Sequence, residues 1–473
     1  MANGDITLII HGWSDCSKSF QDLKDFLVAQ GVGTTKTIFY ADYESREDNI
    51  TFNDVVDGLH QELIKQGIID RDGKKLKNIN VIVHSTGGLV IRHWLWRYYF
   101  QFGCVSSDCP VRRIVMLAPA NFGSPLAHRG KSLLGAFVKG RWKVGDLLEV
   151  GRQLLNGLEL ASPYQWALAH RDLLAPEPWY HPSAIQLTIL VGIQDYEGLR
   201  GLVNAPGTDG TVTIAGTPLN TVKFLLDFSK KSQGKKTFEW MEIRDHCRFA
   251  FGVLPGLNHG SIVQAIPTAR NGKILREVLL QALTTGARQG FEDDFEALID
   301  HLKAVTAETY AATRKPKYQQ FIIRAVDDHD APVRDYTLAF SVCEKQSGKP
   351  LAGPLELFSA EVHKMMVDGI HTHSEDSSYR RLHVNVDAVQ EQLKKAEDAA
   401  GKPVMLCLNM FIPAVDRGIY YDNDNLRQIV LFDPTAPKGD YPSFLYPNTT
   451  TLLEMKVSRD TSYVTVSTEP RAH

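Results

Sequence analysis

The chain has 473 residues, a length that suggests two or three domains. Its hydrophobic content of 43% and charged content of 23% are typical of globular proteins, and its formal net charge of −3 argues against a polybasic nucleic-acid binder. No apolar run is long enough to span a bilayer, and the first residues lack the basic and long apolar regions of a secretory signal. We therefore expect any role at a membrane to be peripheral.

The cysteines indicate a reducing environment. Six are scattered along the chain, which is too few for a disulfide framework: Cys16, Cys104, Cys109, Cys247, Cys343 and Cys407. Cys104 and Cys109 are close enough in sequence to close a small loop. Apart from that pair, folding in a reducing compartment is the simpler expectation.

Strand and helix patterns alternate over roughly the first 290 residues. Apolar or β-prone runs predict strands at 6–10, 37–40, 80–83, 113–117 and 187–191. Helical spacing of apolar residues predicts helices at 19–30, 54–66 and 89–100. This alternation predicts a doubly wound, mostly parallel sheet covered by helices. The stretch 121–182 is too long for a simple connection, so we predict a cap or insertion there.

The pattern changes after residue 290. One amphipathic helix starts at Phe291, and a basic, proline-containing stretch at 314–317 marks a boundary. Short β-rich runs separated by turn residues follow, interrupted by one helical stretch at 388–399. We therefore predict a domain at 1–290, a connecting helix and linker at 291–315, and an all-β, sandwich-like domain at 316–473.

The segment Val81 to Gly88 carries the strongest chemical signal. A buried strand runs into Ser85, small residues follow, and a helix starts at once, which is the layout of a nucleophile elbow. The pattern departs from G-x-S-x-G because its first glycine is replaced by Val83. The alternative is that Ser85 only caps the following helix.

Other segments supply partners for a nucleophilic serine. The motif His11-Gly12-Trp13 ends the first strand, where the Trp13 N–H is placed to act as one oxyanion donor. The N–H of Thr86, directly after Ser85, would be the second donor.

An acid and a base follow in the order expected for an α/β-hydrolase. Asp209 lies in a Gly-flanked turn, and His259 precedes an apolar helical segment. Asp195, only a few residues after its predicted strand, is a rival for the role of the acid. We favour Asp209 over Asp195.

Five sequence blocks together resemble the PlaB-type bacterial phospholipases A. They are the H-S-T-G-G elbow, M-L-A-P-A-N-x-G-S at 116–124, G-K-S-x-L-G at 130–135, D-G-x-V at 209–212 and F-G-V-L-P-G-L at 251–257. The blocks span most of the first 290 residues, whereas the C-terminal part resembles the family only in general character. Carried over residue by residue, the resemblance implies a triad of Ser85, Asp209 and His259.

The resemblance also implies an activity and a location. It implies hydrolysis of glycerophospholipids and lysophospholipids, self-association, attachment to the bacterial cell envelope on its outer-membrane side, and a C-terminal β domain needed for activity. The chemistry requires no metal or other cofactor. The alternatives are another lipid acyl hydrolase or acyltransferase on the same fold, a non-catalytic membrane-binding protein, and a cytoplasmic location.

Two aromatic residues are candidates for contact with a phospholipid surface. Trp142 ends a basic stretch interleaved with apolar residues, which suits an anionic headgroup layer. The alternative there is a cap helix with a solvated basic face. Phe444 lies in an aromatic loop at 441–447 that would either contact lipid or plug a domain interface.

Overall fold

The computed structural model describes most of the chain. The described residues are 6–12, 17–34, 36, 38–43, 47–128, 151–197, 204–229, 231–232, 235–236, 239–244, 247–264, 270–284, 291–413, 419–421, 423, 426–427, 429–431, 444–459 and 466. Trp13 and Trp142 lie outside them. Within these residues, no helix is both long enough and apolar enough to cross a bilayer.

The chain divides into two compact units. The first unit comprises Met1–Thr221, Arg244–Gln320 and Pro447–Thr450. The second comprises Val222–Ile243, Phe321–Tyr446 and Thr451–His473. The division therefore differs from the linear boundaries expected from the sequence, because a segment inside the predicted N-terminal domain belongs to the second unit.

The described strands, in chain order, are β1 Ile6–Ile10, β2 Ile38–Ala41, β3 Ile79–His84, β4 Val111–Leu117, β5 Gln186–Gly192, β6 Thr221–Asp227, β7 Lys231–Ser232, β8 Lys235–Lys236, β9 Glu239–Arg244, β10 Ala250–Leu254, β11 Tyr318–Asp327, β12 Thr337–Glu344, β13 His371–Thr372, β14 Tyr379–Asn385, β15 Val404–Phe411, β16 Ile429–Leu431 and β17 Thr450–Val457.

The described α-helices are α1 Gln21–Ala29, α2 Phe52–Lys65, α3 Gly87–Tyr98, α4 Pro125–His128, α5 Arg152–Leu158, α6 Pro163–Asp172, α7 Arg270–Thr284, α8 Phe291–Thr313, α9 Glu356–Val367 and α10 Val386–Ala400. Short 3₁₀ turns lie at Ser17–Phe20, Phe100–Phe102, Ser106–Asp108, Ile214–Gly216, Ser261–Val263 and Gly353–Leu355.

A six-stranded parallel sheet forms the core of the first unit. Its strand order is β10-β5-β4-β3-β1-β2, and every pair in it is parallel. Strands β1, β3 and β5 are buried along their whole length, which explains why their sequences are almost continuously apolar. The carboxyl ends of these strands lie at one edge of the sheet, where sites form in such folds.

Helix α2 shows how local sequence sets an element. Thr51 Oγ1 accepts a hydrogen bond from the Asp54 N–H, and the Asp54 carboxylate accepts one from the Thr51 N–H, forming a capping box. Val55, Leu59 and Leu63 recur at intervals of four residues and are buried. The predicted helix therefore forms, and it starts two residues earlier than its apolar pattern indicated.

Helix α8, expected from the sequence to connect two domains, packs within the first unit. The Thr306 hydroxyl accepts a hydrogen bond of 3.0 Å from the N–H of Val253 in β10. Phe295, Leu298 and Leu302 are all buried on its apolar face. An apolar helix face must be covered by another element, and in this unit it packs against strand β10. Of the predicted cap at 121–182, the described parts contain helices α4, α5 and α6.

The second unit contains a six-stranded sheet of order β13-β14-β11-β17-β6-β9 and an antiparallel sheet of order β12-β15-β16. Buried residues from both sheets and from helices α9 and α10 form one apolar cluster. Helix α9 has no counterpart in the sequence prediction. The predicted strand at 463–466 falls largely outside the described residues.

A disulfide links the strands β12 and β15. Cys343 and Cys407 are both fully buried, and their Cα atoms are 6.0 Å apart. Cys104, Cys109 and Cys247 are not disulfide-bonded, so the small loop considered from the sequence does not close. The bond departs from the expected reducing environment. No sequence pattern indicates this bond, because only the pairing of β12 with β15 brings the two cysteines together.

Candidate active site

Ser85 stands in a strained turn between a strand and a helix. Strand β3 ends at His84, helix α3 begins at Gly87, and the φ angle of Ser85 is +52°, in the left-handed region that is costly for serine. The Ser85 N–H donates to the Leu117 carbonyl at 3.2 Å, and the Ser85 carbonyl accepts from the Ala120 N–H at 3.0 Å. These bonds to the neighbouring chain hold the turn, which has the geometry of a nucleophile elbow.

Two glycines make room for the turn. A Cβ built on Gly12 would lie 2.6 Å from the Cβ of Ser85, so only glycine fits at position 12. A Cβ built on Gly87 would lie 2.8 Å from the Ile10 carbonyl oxygen and 3.2 Å from the Cβ of Val83. The elbow therefore tolerates Val83 where a glycine is usual because Gly87 leaves the necessary space.

Asp209 and His259 form a buried pair. His259 Nδ1 lies 2.9 Å from Asp209 Oδ2, and both residues are buried. The His259 N–H also donates to the Asp209 carbonyl oxygen at 3.0 Å. The other carboxylate oxygen, Oδ1, accepts bonds from the N–H groups of Thr211 and Val212 at 3.0 and 2.9 Å. A carboxylate held in this way can orient an imidazole and stabilise its protonated form.

His84 connects the histidine to the elbow. Its Nε2 lies 3.0 Å from the His259 carbonyl oxygen, and the centroids of the two rings are 4.6 Å apart. His259 is therefore packed against the residue that precedes Ser85. His84 is part of the H-S-T-G-G block, but the block by itself does not indicate this contact.

Asp195, the rival acid, has a different partner. Its carboxylate lies 2.6 Å from Lys315 Nζ, which also donates to the Ile193 carbonyl at 2.8 Å. The side chain of Asp195 is 43% exposed. The structure thus brings Asp209 to the histidine and pairs Asp195 with a lysine.

A buried ion pair supports the elbow helix. Arg92 of α3 donates from Nε and Nη2 to the Asp172 carboxylate at 2.7 and 2.9 Å, and both residues are fully or almost fully buried. Arg92 Nη1 also donates to the Asn121 carbonyl oxygen at 3.3 Å. The pair therefore connects α3, the end of α6 and the loop after β4. No motif pointed to it, because an arginine within an apolar helix pattern reads as a solvated residue.

Of the two predicted oxyanion donors, only Thr86 lies among the described residues. Thr86 is buried, and it directly precedes the first residue of helix α3. The N-terminus of this helix carries partial positive charge, which suits a developing oxyanion. Trp13, the second donor predicted from the sequence, lies outside the described residues, as does Trp142.

Phe444 is not an exposed lipid contact. Its ring is 2% exposed and lies 5.1 Å from the ring of Phe321 and 5.5 Å from that of Phe224, measured between centroids. All three belong to the apolar cluster of the second unit. The prediction of membrane contact at this residue is therefore corrected, because burial among aromatic rings removes it from the surface.

Comparison with known proteins identifies the fold. No protein-family model matches the chain, and neither does any curated protein. Phospholipase PlaB from Legionella pneumophila in complex with thio-NAD has a TM-score of 0.76 and 22% identity, covering 99% of this chain and 97% of that one. A second structure of phospholipase PlaB from Legionella pneumophila has a TM-score of 0.77 and 23% identity, covering 100% and 98%. The chain thus has the fold of PlaB over nearly its whole length, which confirms the expected α/β-hydrolase sheet and β-rich C-terminal part.

Proposed function

We propose that this chain is a serine hydrolase that releases fatty acids from glycerophospholipids and lysophospholipids. The observation that carries the proposal is the 2.9 Å bond between His259 Nδ1 and Asp209 Oδ2, packed next to the strained turn at Ser85. The five blocks shared with PlaB-type phospholipases and the likeness to PlaB support the substrate class.

The proposed reaction passes through an acyl-enzyme. Ser85 Oγ attacks the acyl carbonyl carbon while its proton passes to His259 Nε2, and Asp209 stabilises the resulting imidazolium. The ester C–O bond then breaks, and the leaving alcohol takes the proton from His259. Water, deprotonated by the same histidine, attacks the acyl carbon; the bond to Ser85 Oγ then breaks, His259 returns the proton to Ser85 Oγ, and the fatty acid is released. The N–H groups of Thr86 and Trp13 are the proposed donors to the oxyanion in both halves.

The proposed partners follow from the substrate and the resemblance. We propose that the protein works at a phospholipid surface of the bacterial cell envelope as a peripheral protein and that it self-associates. Trp142 remains a candidate for contact with lipid. Hydrolysis by this route needs no metal or redox cofactor, and the small net charge of −3 gives no support for a nucleic-acid partner.

Matched replacements of the two acids test the triad. We expect Asp209→Asn to lower kcat on phospholipid vesicles about 10⁴-fold, because the imidazole loses its orienting carboxylate. Asp195→Asn is the control, since Asp195 pairs with Lys315, and it should retain activity within a few fold. Melting temperatures show whether both variants are folded. Full activity of a folded Asp209→Asn protein would remove Asp209 from the mechanism.

Labelling of the nucleophile separates the alternatives. A fluorophosphonate probe should modify the wild-type protein at Ser85 and leave Ser85→Ala unmodified, while only the wild type releases fatty acid from defined vesicles. An inert Ser85 with intact vesicle binding would favour a non-catalytic membrane-binding protein. Transfer of the acyl group to an added alcohol in preference to water would favour an acyltransferase.

A further inference from the structure

The loop that follows β4 contacts both the nucleophile and the segment that carries the acid. This loop, residues 118–124, is the β4 loop, and residues 208–217, which include Asp209, are the acid segment. The β4 loop passes beside the elbow, where the Ala120 N–H donates to the Ser85 carbonyl oxygen at 3.0 Å. Its other contacts run to the acid segment. One loop thus connects two members of the proposed triad that lie far apart in the chain.

Hydrogen bonds attach the β4 loop to the acid segment. The Ser124 hydroxyl donates to the Thr211 carbonyl oxygen at 2.7 Å. The Phe122 N–H donates to the Gly216 carbonyl oxygen at 3.1 Å. The N–H of Thr211 in turn donates to the Oδ1 atom of Asp209 at 3.0 Å. A residue that holds the Asp209 carboxylate is therefore itself bonded to Ser124.

The side chain of Asn121 has partners in both directions from the β4 loop. Its Nδ2 donates to the carbonyl oxygen of Thr217, the last residue of the acid segment, at 2.7 Å. Its Oδ1 lies 3.5 Å from Nη1 of Arg92 in the elbow helix α3, and the same Nη1 donates to the Asn121 carbonyl oxygen at 3.3 Å. A guanidinium can only donate and a carbonyl can only accept, so these partners fix the orientation of the amide. Gly88 of α3 leaves room for it, since a Cβ built there would lie 3.0 Å from Oδ1.

We infer that the β4 loop positions the catalytic acid, with Asn121 and Ser124 as its positioning residues. The inference rests on the proposed hydrolase activity. Both side chains are buried, and a buried polar group bonded on each side has one favourable arrangement. They hold the acid segment where the pair of Asp209 and His259 can serve Ser85. A displacement of about 1 Å at such a site can lower a rate about 10²-fold.

Asn80 provides a matched control for Asn121. It is buried in β3, and its Oδ1 accepts a hydrogen bond of 3.2 Å from Nη1 of the buried Arg113 in β4. Asn80 therefore also has a buried amide next to a buried arginine. It lies near the amino end of β3, however, whereas Ser85 follows the carboxyl end. Replacement of either asparagine by alanine removes a buried hydrogen bond, so both variants should show a lower melting temperature.

Steady-state kinetics on a soluble p-nitrophenyl ester separate the two asparagines. In Asn121→Ala we expect kcat to fall about 10- to 100-fold while KM changes less than about threefold, because a displaced acid impairs the chemical step and not substrate binding. Asn80→Ala should keep kcat within about twofold of the wild type. The rates are measured at a temperature where melting curves show both variants to be folded.

A double variant separates positioning from a general loss of stability. If Asn121 acts through Asp209, its replacement should matter little once the carboxylate is gone. We therefore expect Asn121→Ala to lower kcat less than about threefold in the Asp209→Asn protein. Independent effects would multiply and give the same fall in both backgrounds. The same fall in the Asp209→Asn protein, or an unchanged kcat in Asn121→Ala alone, would overturn the inference.

Ser124→Ala keeps the test decisive if Asn121→Ala does not fold, because it removes only one hydroxyl. We expect it to lower kcat about fivefold or more, and again only while Asp209 is present. Ser162→Ala is the matched control. Ser162 is buried, and its Oγ accepts a hydrogen bond of 3.2 Å from the Tyr164 N–H at the start of α6, outside the β4 loop and the acid segment.

The outcomes distinguish the inference from the proposed function. If Asn121→Ala does not fold, an equal kcat in Ser124→Ala and Ser162→Ala overturns the inference. Wild-type activity in the folded β4-loop variants, beside an inactive Asp209→Asn protein, overturns the inference and leaves the proposed function standing. A wild-type protein that hydrolyses no ester contradicts the proposed function, and the inference falls with it.

Discussion

At the scale of single residues, the elbow depends on an exchange of space between neighbours. Val83 takes a position that is usually small, and Gly87 provides the room, since an added Cβ there would meet Val83 and the Ile10 carbonyl oxygen. The two positions therefore constrain each other. A motif read as letters treats them as independent, which is why Val83 weakened the sequence assignment although the turn forms.

Replacement of Gly87 tests this arrangement. We expect Gly87→Ala to destabilise the protein by about 1–3 kcal/mol, because the methyl group has no space between a carbonyl oxygen and a side chain. The rate of ester hydrolysis should fall even at temperatures where the variant is fully folded, since the displaced turn carries Ser85. Thermal unfolding and ester hydrolysis measure the two effects. Gly103→Ala is a control without close contacts at its Cβ, although its positive φ makes some strain unavoidable. An unchanged activity in Gly87→Ala would contradict the account of the elbow.

Buried histidines make stability depend on pH. Burial, together with the charges of Arg171 and Arg97, lowers the pKa of His93 to about 4, although Asp57 opposes the shift. His93 in the unfolded chain takes up a proton near its ordinary pKa of 6.5, while the folded chain resists it. The unfolded state therefore binds more protons between these values, so stability is full above pH 6.5 and decreases as the pH falls towards 4.

The His93 share of this dependence can be measured. Between pH 7.5 and pH 5 it amounts to about 2 kcal/mol of unfolding free energy. His93→Gln, which can still bond the Tyr164 hydroxyl but does not titrate, should reduce the slope of stability against pH by this amount. His329→Gln, at an exposed position, serves as the comparison. Equal slopes in wild type and His93→Gln, from denaturant unfolding at several pH values, would contradict the prediction.

At the scale of elements, periodicity located most strands and helices but not their partners. The apolar face of 291–313 was visible in the sequence, yet only the structure shows that it covers β10. Phe444 illustrates the same point, because an aromatic loop has the same composition whether it lies in a core or at a surface. The order Ser85, Asp209, His259 was accessible because motifs record local turns. The contact of His84 with His259 was not, because it joins segments far apart in the chain.

The bond between β12 and β15 leads to a prediction at this scale. Cys343 and Cys407 close a loop with a separation of 64 residues. A loop of this length corresponds to about 4 kcal/mol in the chain-entropy description, so Cys343→Ala/Cys407→Ala should lose stability of that order. Cys247→Ala, which removes a cysteine outside the disulfide, is the control. Reductant should lower the melting temperature of the wild type but not that of the double variant.

Direct counting of thiols gives a second readout. Alkylation of the unfolded, unreduced protein should leave two cysteines unmodified, and intact mass should show it. Modification of all six would contradict the bond. Because buried disulfides are typical of oxidising compartments, the bond also favours maturation outside a reducing cytosol and accords with the proposed place in the cell envelope.

At the scale of the whole molecule, the division of the chain into units was the feature hardest to predict from the sequence. The change in composition near residue 316 was visible in the sequence, whereas the assignment of Val222–Ile243 to the second unit was not. Its strand β6 alternates partly exposed and buried residues like any strand, and such a pattern does not say which sheet receives it. The likeness to PlaB extends over 99–100% of the chain, so the fold of each unit has a counterpart there.

The position of strand β6 has a consequence during synthesis. Its neighbour β17 lies far along the chain from it, and at about 5–20 residues per second it follows β6 after roughly 10–45 seconds. During that interval the edge of β6 that pairs with β17 has no partner strand on the nascent chain. We expect translation of this protein to need a chaperone that shields this stretch until the carboxyl-terminal segment arrives.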